Sequence, residues 1–153
     1  SSPTMPTNYD QKRRIGAVRT MGTPFIHPFR QRGDKFLFTT AVEDLESTTV
    51  STSRTLITVR APPLTSVLFR AACWHGSAVV AVVFQPPAET DAAPTFGGPP
   101  GVSLYSEAAN GTGAGHFELD VDASSQIAVR SSTSSTNVQV YTMGLVDTRG
   151  KNG

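Results

Sequence analysis

The chain has 153 residues, with 13 Lys plus Arg against 12 Asp plus Glu, 16% charged and 38% hydrophobic residues, which is enough for one core and too short for two. Charged residues fall well below the usual quarter and Ser plus Thr supply roughly a fifth of the chain, so a helical bundle or coiled coil is not expected. The longest apolar run, Ala78 to Phe84, is strand-sized against the roughly 20 residues a membrane helix needs, and a soluble protein with no membrane partner is expected.

Residues 1–34 carry Pro3, Pro6, Pro24 and Pro28, too closely spaced for a helix, and read as an extended N-terminal arm. The arm is basic. Residues 1–70 hold ten Lys or Arg against five acids, and residues 71–153 hold three against seven. The clustered Lys12, Arg13, Arg14 and Arg19 are therefore candidates for contact with RNA phosphates, through counterion release, or with the acidic face of another copy, or they form a solvated arm. The start at Ser1, without Met, is expected to mean a trimmed chain, a product excised from a longer precursor, or a shortened one.

Lys35 to Val42 (KFLFTTAV) is the first strand, and Glu43 to Ser47 is read as a break able to form a short helical turn. Arg54 to Arg60 (RTLITVR) is β-branched and makes a second strand, ended by Ala61-Pro62-Pro63. Leu64 to Trp74 (LTSVLFRAACW) fits both periods: Leu64, Val67, Leu68 and Ala71 form a helical stripe, while Val67, Phe69, Ala71 and Cys73 alternate. A short helix under a sheet is the favoured reading. Ser77 to Phe84 (SAVVAVVF) is apolar on both faces and is expected to be a central strand buried on both sides.

Gln85 to Gly101 has five prolines and three glycines and reads as a long surface loop, followed by a short strand at Val102 to Ser106 and a second loop at Ala108 to Gly115. His116 to Asp122 (HFELDVD) alternates cleanly, with Phe117, Leu119 and Val121 toward a core and His116, Glu118, Asp120 and Asp122 toward solvent. Gln126 to Arg130 and Asn137 to Val146 are two more strands, joined by a Ser/Thr-rich turn. About seven strands and no alternating helices predict an all-β protein. Its two antiparallel sheets would form a jelly-roll sandwich over residues 35–147, with a polar tail at 148–153.

Little in the chain points to chemistry. His27, His75 and His116 lie far apart, with no metal-binding spacing. His75, Ser77 and Asp120 spell a hydrolase trio only on paper, because Ser77 lies in no nucleophile elbow. Gly97, Gly98 and Gly101 are interleaved with prolines and open no helix, so no phosphate loop is expected. The single Cys73 excludes an internal disulfide and a Cys-based zinc site. No enzyme activity, catalytic residue, cofactor or metal is expected.

Three short motifs carry two readings each. Arg32-Gly33-Asp34 is the tripeptide integrins recognise, which would imply a host receptor, or it is simply a capped turn before a strand. Asn110-Gly111-Thr112 is a glycosylation sequon or only a turn. Glu118, Asp120 and Asp122 form a site for a hard cation, or a solvated strand face open to a neighbour's basic arm.

The stretch Leu64 to Phe84 (LTSVLFRAACWHGSAVVAVVF) resembles the jelly-roll coat proteins of picorna-like viruses, in which a W-x-G-S-like turn leads into a buried strand. It is closest to the small coat protein of the plant comovirus and nepovirus group. Gly115 to Asp122 resembles that family's F-x-F-D-like strand, Gln126 to Asp147 its last two strands, and Lys35 to Val42 its first long strand. The resemblance covers about two thirds of the chain. It departs at Gln85 to Ala114, where 30 residues rich in Pro and Gly stand where the family fits two further strands.

The resemblance implies a polyprotein product and a structural subunit of an icosahedral virion, partnered by other capsid subunits and enclosing genomic RNA. The low charge suits a surface covered by neighbours. The alternative is a β-sandwich binding module that takes a carbohydrate or protein partner on its loops.

Overall fold

The computed structural model describes residues 20–21, 25–96 and 102–148, and contains no helix among them. Eleven strands are described: Thr20–Met21 (β1), Phe25–Ile26 (β2), Phe29–Arg32 (β3), Lys35–Val50 (β4), Thr55–Thr58 (β5), Ser66–Trp74 (β6), Val80–Gln85 (β7), Val102–Ser106 (β8), Thr112–Asp120 (β9), Gln126–Ser131 (β10) and Thr136–Val146 (β11). β1 and β2 pair with each other. The remaining strands form a five-stranded sheet, ordered β3-β4-β11-β6-β9, and a four-stranded sheet, ordered β5-β10-β7-β8. All pairings are antiparallel, and the molecule is an all-β, two-sheet sandwich.

The pairings are nested. β4 pairs with β11, β5 with β10, β6 with β9 and β7 with β8, so the chain from β4 to β11 is one long hairpin wrapped until alternate segments fall in opposite sheets. The wrap closes on a core of Val, Ile, Leu and Phe side chains. Phe69 of β6 meets Phe84 of the opposite sheet edge-on at 5.3 Å and lies 5.5 Å from Phe117 of β9. Phe69 and Phe84 have no exposed surface.

Three expected elements are corrected. Leu64 to Trp74 is not a helix: Ser66–Trp74 is the strand β6, with Val67, Phe69, Ala71 and Cys73 buried in alternation. Its neighbours β11 and β9 supply hydrogen-bond partners on both sides, which a helix at this position would leave unpaired. Leu64, part of the helical stripe, is 63% exposed.

Glu43 to Ser47 does not break the first strand. β4 continues to Val50 because β11 is long enough to pair with it throughout, and bulges absorb the surplus residues. Ala108 to Gly115 is a loop only to Gly111, since β9 begins at Thr112. Its glycines serve packing: a Cβ at Gly113 would stand 2.0 Å from the Tyr105 carbonyl oxygen, and one at Gly115 would stand 2.5 Å from the Phe117 ring.

At the end of the segment read as an arm, Phe29–Arg32 is the edge strand beside β4. His27 is buried, its ring 4.5 Å edge-on to Phe38 and its Nε2 donating to the Thr40 carbonyl at 2.9 Å.

Candidate functional site

The two sheets treat their outer faces differently. On the four-stranded sheet, Ala81, Val83 and Ala128 point away from the core and are still buried. The Pro-rich segment after β7 lies over this side. Arg54 donates to the carbonyls of Pro86 and Pro87, both at 3.0 Å. Arg130 holds Asp91 at 2.9 Å, Gln85 donates to the Thr90 carbonyl at 3.3 Å, and the Tyr105 hydroxyl donates to the Thr95 carbonyl at 3.2 Å. β7 is thus covered on both faces, as its apolar sequence requires.

Among the described residues nothing covers the outer face of the five-stranded sheet, where register stacks polar side chains in rows across β4, β11, β6 and β9. One row is Glu43, Tyr141, Arg70 and His116. The Tyr141 hydroxyl donates to Glu43 at 3.0 Å, and the Arg70 guanidinium lies 4.7 Å from the centre of the Tyr141 ring. That hydrogen bond to the Glu43 carboxylate holds the phenol above its ordinary range, with Arg70 pulling the other way.

The next row is Glu46, Gln139, Ala72 and Ala114, in which Gln139 donates to Glu46 at 3.3 Å. The two alanines leave a hollow of about 430 Å³ between these rows, lined by Arg70, Ala72, Ala114, His116, Gln139 and Tyr141.

Beneath the same sheet, a bulge turns Asp44 inward between Glu43, opposite Tyr141, and Leu45, opposite Val140. Its side chain has no exposure and lies 3.5 Å from Arg60 Nε, while Oδ1 has no hydrogen-bond partner. The Thr142 hydroxyl donates to Asp44 and itself accepts the Arg60 backbone N–H at 3.3 Å. Burial pushes the Asp44 carboxyl up to about 6 against these two partners. Burial likewise pushes the Cys73 thiol up to about 11, so it stays a thiol at neutral pH.

The sequence-derived candidates are dispersed. Lys12, Arg13, Arg14 and Arg19 lie outside the described residues. Arg32-Gly33-Asp34 forms the hairpin between β3 and β4: Arg32 pairs with Lys35, leaving Gly33 and Asp34 as a two-residue turn. Gly33 has φ +60°, the geometry for which glycine is favoured at the first turn position. Arg32 and Gly33 are exposed, Asp34 is half-buried, and its carbonyl accepts the Asp147 N–H at 3.0 Å.

His75 Nδ1 accepts the backbone N–H of Ser77 at 3.2 Å, so the ring serves the turn. Glu118 faces Lys35 at 3.9 Å, Asp120 accepts from Ser66 at 2.6 Å, and Asp122 caps the turn to Gln126, accepting its N–H at 2.8 Å. No cluster of three His, Cys, Asp or Glu is placed to hold a metal among the described residues. Asn110 is exposed, with φ +61°.

Sequence reading misses Arg70, Gln139, Tyr141 and Asp44. Their sequence separation hides them, and only the 70/141/116 register and the bulge at Asp44 bring them to one place. No protein-family model matches the sequence, and no curated protein matches it either.

Proposed function

We propose that this protein is a jelly-roll coat subunit that assembles with copies of itself and related chains into an icosahedral shell around RNA. The observation that carries the reading is the nested pairing of β4 with β11, β5 with β10, β6 with β9 and β7 with β8. Wrapping a single long hairpin into two sheets gives the eight-strand pattern of a jelly roll. Among the described residues one strand, β8, lies between β7 and β9, the segment that resembles the family's F-x-F-D-like strand, where that family fits two. The step from this wrap to a shell is one of fold-level analogy, supported by the W-H-G-S turn and by the low charge.

Exposed Leu64, Val79 and Phe96 add apolar contacts outside the core, suited to burial against neighbours. Leu64 is held at φ +59°, where a bulky residue is strained.

A binding module is the second reading. It is favoured by Phe96, 58% exposed and 5.7 Å from the Tyr105 ring, where the covering loop offers an aromatic surface to a sugar or a protein.

Electron microscopy and sedimentation of the purified chain separate the two. Shells of uniform size, lost when Ser1 to Arg19 are deleted from a chain that still folds, are the expected result. A persistent monomer by light scattering, in the presence of its partner chains and across salt and pH, would remove the shell reading and leave the module.

A further inference from the structure

We propose that the hollow over Ala72 and Ala114 on the five-stranded sheet binds a saccharide residue that carries a carboxylate, with Arg70 as the anchor and His116 beside it. The site goes beyond the shell reading and does not depend on it.

The distribution of partners selects the ligand. Each carboxylate on this outer face already has one: Glu43 the Tyr141 hydroxyl, Glu46 the Gln139 amide, Glu118 Lys35, and Asp120 the Ser66 hydroxyl. Arg70 is the opposite case. It forms no ion pair among the described residues, and its guanidinium is held over the Tyr141 ring at the edge of the hollow. An arginine fork with no carboxylate in ion-pair range among the described residues is matched by a planar carboxylate. His116, directly across from Arg70 in the register, adds its ring nitrogens on the same wall.

Shape selects the rest of the ligand. The floor is made of the Ala72 and Ala114 methyl groups and Gly115, an apolar surface suited to the C–H face of a pyranose ring. Gln139, with its amide turned to Glu46, keeps its carbonyl oxygen for a sugar hydroxyl. A volume of about 430 Å³ is at the lower end of ordinary small-ligand sites. A nucleobase is matched less well, because it stacks on an open aromatic or guanidinium face, and Arg70 and Tyr141 turn theirs to each other.

The test is an amide-resolved NMR titration of the full chain with sialyllactose, a glucuronic-acid-terminated disaccharide, lactose, and a short single-stranded oligoribonucleotide. At least one acidic saccharide is expected to shift the amides of Arg70, Ala72, Ala114 and His116 with a Kd on the order of 1 mM, and lactose to bind about tenfold more weakly or not at all. The tighter acidic sugar identifies the source of the carboxylate.

Arg70→Gln is expected to weaken binding about tenfold. Ala72→Leu, at a position facing out of the sheet, is expected to abolish it with the thermal melt retained. The proposal is overturned if neither acidic sugar shifts these amides up to on the order of 10 mM, if lactose matches them, or if Arg70→Gln binds as the parent does. It is also overturned if the oligoribonucleotide alone shifts these amides.

Discussion

The outer face of the four-stranded sheet is covered by its own chain, whereas no described residues cover the outer face of the five-stranded sheet, which is paved with paired polar groups. Both are strands of one wrapped hairpin over one core, so the difference lies in the segment to which each strand leads. After β7 comes a proline-rich segment with few backbone donors, which cannot extend the sheet. It lies over the sheet, clamped by Arg54 and Arg130. Among the described residues no comparable segment lies after β6, β9 or β11, and their outward side chains take partners along the rows instead. One face is closed by contacts within the chain, and the other keeps its polar rows at the surface.

Removing a side chain that both sheets share has the largest effect. Phe69→Ala is expected to cost about 3–5 kcal/mol, measured by urea unfolding, because Phe69 touches rings of both sheets and has no exposed surface. A loss near that of a surface substitution would mean that the two sheets do not share this core.

Asp44 comes next, beneath the open sheet. Its carboxyl is raised from 3.8 to about 6, so the folded state holds a proton that the unfolded chain releases. The stability this gives is complete below the unfolded value and is lost as the pH rises through about 6. Asp44→Asn is therefore expected to gain up to about 3 kcal/mol at pH 7.5 and almost nothing at pH 3.5, as the difference between the two proteins' melts. A variant less stable than the parent at pH 7.5 would show that the Arg60 and Thr142 contacts to the ionised form outweigh its burial.

The cover of the other sheet is weaker. Arg130→Ala, which frees Asp91, is expected to lower the free energy of opening of segment 86–96 by about 1–2 kcal/mol in hydrogen exchange and to hasten its proteolysis. Unchanged exchange would mean that Arg54 and Tyr105 hold the segment without it. The smallest effect is expected on the open face. Glu43→Gln, which keeps a hydrogen-bonding group near the Tyr141 hydroxyl, should change stability by less than about 0.5 kcal/mol. A larger loss would show that the polar rows hold the sheet together.

These contrasts are unevenly legible in the sequence. The double-sided apolar run in Ser77 to Phe84 announces a strand covered on both faces, and the alternation in His116 to Asp122 announces one covered on a single face. β6 invites a helical reading because its residues satisfy helical and strand periods together, and the choice is made by the unpaired edges of β9 and β11 on either side. The full length of β4 is hidden because Glu43, Asp44 and Glu46 look like a terminus. Bulges let the strand carry them, with Glu43 and Glu46 outward and Asp44 inward.

By itself, the sequence determined the class: β-branched and alternating segments, separated by proline and glycine, can bury their apolar faces only as packed sheets. Which residues meet was decided by the tertiary structure. Arg70, His116 and Tyr141 share a row, and Asp44 meets Arg60 and Thr142, through register and a one-residue bulge. Strand register is set by pairing across the whole wrap, and no local pattern of residues encodes it.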